Sequence, residues 1–221
     1  MTTDRSSRPR RSAGFTLLEL LVTVAILGLV LTSLGLVQSR SSNESMVLRA
    51  RAIAESRVRR TLDAVAAELT AVGRSLLLPD PTTVFGASTV TFQHPMGVSN
   101  LGVVLWGTTS RLSLELDPRE LDNGVDDDGD GLIDERQLVF TRDFGTANAR
   151  RVVLCTNIPE LAPGEIAGNG IDDNGNGVVD EAGFNIRRIG DLLSVHLTVQ
   201  QPYGGNRVAS TTLETSIVLH N

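Results

Sequence analysis

Two stretches of this chain carry acidic and amide oxygens at alternate positions, punctuated by glycine. One is Asn123-Gly124-Val125-Asp126-Asp127-Asp128-Gly129-Asp130-Gly131-Leu132-Ile133-Asp134-Glu135. The other is Asn169-Gly170-Ile171-Asp172-Asp173-Asn174-Gly175-Asn176-Gly177-Val178-Val179-Asp180-Glu181. They align without gaps at an offset of 46 residues, and the differences are conservative, such as Asp128 against Asn174 and Asp130 against Asn176. Oxygens at every second position converge when the chain turns sharply, and a hard cation such as calcium takes roughly six to eight of them. Gly131 and Gly177 permit that turn. In this register Asp126, Asp128, Asp130, the Leu132 carbonyl and Asp134 are the expected ligands of one calcium ion. Asp172, Asn174, Asn176, the Val178 carbonyl and Asp180 are those of a second. The second set has fewer carboxylates and is expected to bind more weakly. Seven acidic residues lie between Asp122 and Glu135 with no base among them, and without a cation they repel one another. Asp, Asn and Gly are also ordinary turn residues, so the plain alternative is a pair of solvated acidic turns. Repetition in one register weighs against composition alone.

Both stretches fit D-x-[DN]-x-[DN]-G-x-[IV]-D, which resembles the first nine positions of an EF-hand-type calcium loop. The departure comes at the twelfth position, where the resemblance requires a bidentate Glu and this chain has Gln137 and Gly183. The flanks also read as strands rather than helices. The expectation is therefore a pair of calcium loops on a β scaffold, completed by Glu135, Glu181, water or another segment, with Asp122 a further candidate for the first. Ile133 and Val179 are expected to anchor the loops to the core.

A second constellation lies at the N-terminus. Arg5, Arg8, Arg10 and Arg11 precede Gly14-Phe15-Thr16-Leu17-Leu18-Glu19, and from Phe15 to Val37 the run is apolar apart from Glu19 and a few Ser, Thr and Gly residues. As a helix these 23 residues extend about 34 Å, enough to cross a bilayer. An ionised side chain inside such a span is costly and marks function. The leader, the Gly-Phe junction and the spacing to Glu19 resemble the class III signal of type IV pilins and type II secretion pseudopilins. The resemblance implies cleavage after Gly14 by a prepilin peptidase, methylation of the new Phe15 amine, and a single-pass inner-membrane protein with a cytoplasmic N-terminus. It also implies that Glu19 sets register by pairing with the Phe15 ammonium of a neighbouring subunit, so that two charges costly alone in lipid offset each other.

The elements that carry these sites follow from periodicity. Leu48, Val58, Leu62, Val65, Leu69, Val72 and Leu76 recur largely at spacings of three and four, and no proline appears between Phe15 and Leu78. One long helix from Phe15 to about Leu76 is expected, with Gly35 and Ser39–Ser45 as candidate breaks. Its second half should pack on a sheet. Ser88–Gln93, Val103–Trp106, Arg111–Leu116, Gln137–Thr141, Arg151–Thr156, Leu192–Gln200 and Val208–Leu219 read as strands, with Tyr203-Gly204-Gly205-Asn206 turning a C-terminal hairpin. The fold class is α+β, a long N-terminal helix packed on an antiparallel β-sheet. The helix RVRRTLDAVAAELTAVGRS (57–75) and the terminal TTLETSIVLHN are similar to minor pilins of the PilW type and to J-type pseudopilins.

Composition narrows the function classes. Of 20 basic and 26 acidic residues, four Arg and one Asp fall in the first 14, so cleavage takes the net charge from −6 to −9. That balance argues against nucleic acid as a primary partner. Cys155 is the only cysteine, which excludes an intramolecular disulfide and suggests a buried core thiol. His94, His196 and His220 show no zinc spacing and no catalytic pairing, so no enzymatic role is expected. The expected organisation is a leader (1–14), a transmembrane helix (15–37), its amphipathic continuation (38–78) and a periplasmic or extracellular head (79–221) bearing loops 122–135 and 168–181. The expected function is a minor pilin or pseudopilin subunit with a calcium-stabilised head, working with prepilin peptidase and other pilin subunits. The alternative is a membrane-anchored, calcium-dependent adhesin that does not polymerise.

Overall fold

A computed structural model describes residues 16–73 and 76–219, the side chain of Ser39 excepted. Gly14, Phe15 and His220 lie outside the described residues. The chain forms two compact units, Met1–Ser45 and Met46–Asn221.

In the first unit the described residues open the helix α1 (Leu17–Leu69). Thr16 caps it: its Oγ1 accepts the Glu19 N–H at 3.3 Å, the side-chain half of a Thr-x-x-Glu capping box. Every Leu, Ile and Val from Leu17 to Val37 is at least 46% exposed. The hydroxyls of Thr23, Thr32 and Ser33 are satisfied within the helix, on the carbonyls of Leu20, Gly28 and Val30. A helix that is apolar all round and closes its own hydrogen bonds suits lipid rather than water. The backbone is helical at both expected break points, Gly35 and Ser39–Ser45.

The second unit holds the core. Ala50, Ala54, Val58, Leu62, Val65 and Leu69 are buried and recur every three or four residues, one stripe on one face of α1. Leu48 does not belong to it, being 65% exposed; the small Ala50 and Ala54 continue the stripe instead. The helix ends at Leu69, short of the expected Leu76, because the next buried residues, Val72 and Leu77, are five apart and leave the helical spacing.

The strands are β1 (Thr89–Val98), β2 (Val104–Leu116), β3 (Arg136–Arg142), β4 (Arg150–Ile158), β5 (Phe184–Ile189), β6 (Leu192–Tyr203) and β7 (Arg207–Val218). They form two antiparallel sheets, ordered β1-β2-β3-β4 and β5-β6-β7. Phe92, Leu112, Leu138, Ile158, Phe184, Ile186, Leu193, Val195 and Leu197 meet the α1 stripe in one hydrophobic cluster. Cys155 is buried at its margin as a free thiol, and burial pushes its pKa up.

Two strand expectations need correction. Val104–Trp106 and Arg111–Leu116 are parts of one strand, which runs on through Gly107 and Thr108 across a register shift opposite Gln93 and Pro95 instead of ending there. Strand β5 is absent from the expected strands, since Arg187 and Arg188 mask the alternation of Phe184 and Ile186. It forms by antiparallel pairing with β6, and Arg188, 7% exposed, is accommodated by donating its Nε to Asp80 at 2.8 Å.

Candidate metal centre in the acidic loops

The first acidic loop joins β2 to β3 and the second joins β4 to β5. Arg136, opening β3, pairs with Ile158, closing β4, so both loops leave the sheet at one end. The Arg136 guanidinium lies 3.0 Å from Glu160 and 3.7 Å from Asp122, tying together the flanks of the two loops.

The sequence repeat is also a conformational repeat. Positive φ occurs at Gly124, Gly129, Gly131 and Asp134, and again at Gly170, Gly175, Gly177 and Asp180. Glycine adopts this region freely, whereas a side chain there is strained; the Asp residues hold it through their hydrogen bonds. Asp126 accepts the N–H groups of Gly129 (2.7 Å) and Gly131 (2.9 Å). Asp172 accepts those of Gly175 (2.7 Å), Asn176 (3.1 Å) and Gly177 (2.7 Å). Oδ1 of Asp128 takes the Asp130 N–H, and Oδ1 of Asn174 takes that of Asn176. Asp130 and Asn176 do the same for Leu132 and Val178.

The ninth position of each loop is a brace. Asp134 accepts the Asn123 and Gly124 N–H groups at 3.1 and 2.6 Å, and Asp180 accepts those of Asn169 and Gly170 at 3.1 and 2.9 Å. Each aspartate thus closes its loop onto its own beginning. The expected anchors are corrected as well: Leu132 and Val178 are buried, while Ile133 is 59% exposed and Val179 is only half-buried.

In the first loop, ligand oxygens of Asp128, Asp130 and Glu135 lie within 4.8 Å of one another, as do those of Glu120, Asp126 and Asp128. Glu135 is 1% exposed and its Oε2 has no hydrogen-bond partner. Burial pushes its carboxyl up to about 7, and the charges of Asp130, Glu120 and Asp128 push in the same direction. Arg119 reaches the group from outside, with Nη1 2.9 Å from Asp128 and Nε 3.1 Å from Asp117. In the second loop Glu181, also 1% exposed, accepts the side-chain N–H groups of Asn174 (2.8 Å) and Asn176 (2.5 Å) on Oε1. Arg187 donates to the Gly177 carbonyl there.

Glu120 and Glu165 were missed. Glu120 takes the Asp127 and Asp128 N–H groups at 3.4 and 3.0 Å, and Glu165 takes those of Asn174 and Asp180 at 3.0 and 3.1 Å. The signal was present as Pro118-Arg119-Glu120-Leu121 and Pro163-Gly164-Glu165-Ile166, a repeated Pro-x-Glu-aliphatic unit whose offset is 45 instead of 46. One extra residue before Asn169 hides it from a gapless alignment.

In the first unit, Glu19 is exposed in the first turn of α1, next to Thr16 at the cap. The family model for the prokaryotic N-terminal methylation motif matches residues 9–35, a segment that spans Gly14, Phe15 and Glu19. The chain therefore carries a class III prepilin-type signal, and the motif supports a pilin-type subunit processed by prepilin peptidase and assembled with other pilins. Among the described residues α1 is the one helix long and apolar enough to cross a membrane, which fits a membrane-anchored, single-pass pilin. Comparison with curated proteins and with solved structures gives no match.

Proposed function

We propose that this chain is a minor pilin or pseudopilin, a structural subunit that helps prime or assemble a type IV pilus or a type II secretion pseudopilus. The observation that carries the reading is the methylation motif at residues 9–35, which runs directly into an exposed apolar helix. Removal of the leader after Gly14 frees the Phe15 amine at the start of the membrane segment. Glu19, one turn further on, is the carboxylate available to a neighbour's ammonium, and the pairing gives each entering subunit one axial position. The N-terminus is cytoplasmic and the second unit lies outside the inner membrane, where calcium bound by the acidic loops stabilises it.

The test is the mass and N-terminal sequence of the protein from cells with an active prepilin peptidase. The expected mature chain begins at N-methylated Phe15, and the leader persists when the peptidase is inactivated. Retention of residues 1–14 in the presence of active peptidase overturns the proposal.

A further inference from the structure

We infer that the two acidic loops are unequal: the first holds one tightly bound divalent cation through Asp126, Asp128, Asp130, Glu120 and Glu135, and the second is closed by its own amides. This rests on the calcium reading of the loops and changes both the ligand set and the number of ions. The linear motif ends at Asp134, but that carboxylate closes the loop on the Asn123 and Gly124 N–H groups and belongs to neither group of converging ligand oxygens among the described residues. The left-handed backbone at Asp134 turns the next residue, Glu135, into the loop, where its oxygen joins those of Asp128 and Asp130. A carboxylate 1% exposed with an unpartnered oxygen, beside two further carboxylates, has no ion pair of its own among the described residues, since Arg119 pairs with Asp128 and Asp117 instead. A hard cation supplies it, and oxygen-only ligands at this density suit calcium. Glu120, 4% exposed, brings a fifth carboxylate from outside the motif.

The second loop has the same backbone and a different interior. Its Asn174 and Asn176 each commit Oδ1 to a backbone N–H, at 3.0 and 2.9 Å, which leaves the amide nitrogens facing Glu181. Both donate to Glu181 Oε1, where the first loop presents two carboxylates to Glu135. One Glu181 oxygen, Oε2, stays without a partner, yet the carboxylate already receives two donors. An incoming ion would have to displace them.

The test is a calcium titration by calorimetry of the full chain in detergent micelles after chelation, repeated with terbium luminescence. One tight ion per chain is expected. Glu135→Gln should weaken it at least 100-fold, whereas Asp134→Asn should cost less than tenfold and Glu181→Gln should leave the tight site unchanged. A melt of calcium-free Glu135→Gln shows that the variant is folded. Two equivalent tight ions, no binding at all, unchanged affinity in Glu135→Gln, or equal losses in Asp134→Asn and Glu135→Gln each overturn the inference. None of these outcomes bears on cleavage after Gly14, so this assignment and the pilin reading fail separately.

Discussion

Replacing Glu135 by Gln should stabilise the calcium-free protein and destabilise the calcium-loaded one. The carboxyl titrates near 7 in the folded chain against an ordinary 4.5, so the folded state holds its proton more tightly than the unfolded state does. Stability therefore falls as pH rises from 4.5 through 7, and above 7 the full cost of the buried charge is present. At about 1.4 kcal/mol per unit, that cost is about 3 kcal/mol. Gln has nearly the same shape and no charge, so in chelator at pH 8 the variant should be more stable than the wild type by up to this amount. At about 2–4 °C per kcal/mol for a unit of this size, the gain in Tm is roughly 6–12 °C. At pH 4.5 the two proteins should melt nearly together, and the difference between them cancels the titrating groups that are not coupled to Glu135. With millimolar calcium at pH 8 the order should reverse, because the ion stabilises only the protein that binds it. The assay is thermal denaturation of the full chain in micelles, followed by the fluorescence of the single Trp106. A variant less stable than the wild type in chelator at pH 8 would refute the reasoning, since Glu135 would then be held by partners that favour its charge.

Other substitutions probe the scaffold. Leu69→Ala, at a fully buried site on the α1 stripe, should cost about 2–5 kcal/mol in urea unfolding through the cavity it leaves. Asp80→Ala should cost about 2–3 kcal/mol, because it strips the main partner from a guanidinium that is 7% exposed, while Arg188→Met should cost less than about 1.5 kcal/mol, because it leaves a half-exposed carboxylate in water. Paired denaturation curves measure that asymmetry, and equal losses would contradict it. Gly183→Ala should destabilise by about 1–3 kcal/mol, since its Cβ would meet the Pro159 carbonyl oxygen at 2.4 Å and Ile158 Cγ2 at 2.8 Å; Tm in chelator reads this without involving the ion.

The long helix, the C-terminal hairpin and the paired acidic loops were legible because each is a local pattern. The α1 stripe follows from spacing along one element, and the two loops follow from a repeat. Strand β5 was not legible, because two arginines break its apolar alternation and the group that accommodates buried Arg188, Asp80, lies 108 residues away. What the sequence could not show is how Asp134 and Glu135 divide the space: Asp134, with left-handed backbone, takes the Asn123 and Gly124 N–H groups, while Glu135, one of several expected completing groups, is the buried carboxylate beside Asp128 and Asp130. Glu120 and Glu165 fall outside any loop motif and reach it by hydrogen bonds to backbone N–H groups. The Gly14–Phe15 junction is read from sequence pattern and motif alone.

The hydrogen bonding of the first loop also says what a cation would change there. The backbone N–H groups of Asn123, Gly124, Val125, Asp127, Asp128, Gly129, Asp130, Gly131 and Leu132 all find side-chain oxygens within the loop or on Glu120. These N–H groups, and the carboxylates that receive them, are already in place without an ion, unlike a small metal domain whose ligands come together only when the ion arrives. What accumulates instead is negative charge, with Arg119 alone offsetting it at Asp128. An ion would therefore act on the electrostatics of a cage already built, and its removal should lower Tm while leaving the head folded. Far-UV circular dichroism of the full chain in micelles should show the same β content with and without chelator at 20 °C. Loss of that signal on chelation would mean that the ion organises the backbone, and that the carboxylates which bind the N–H groups here do so only once their repulsion has been removed.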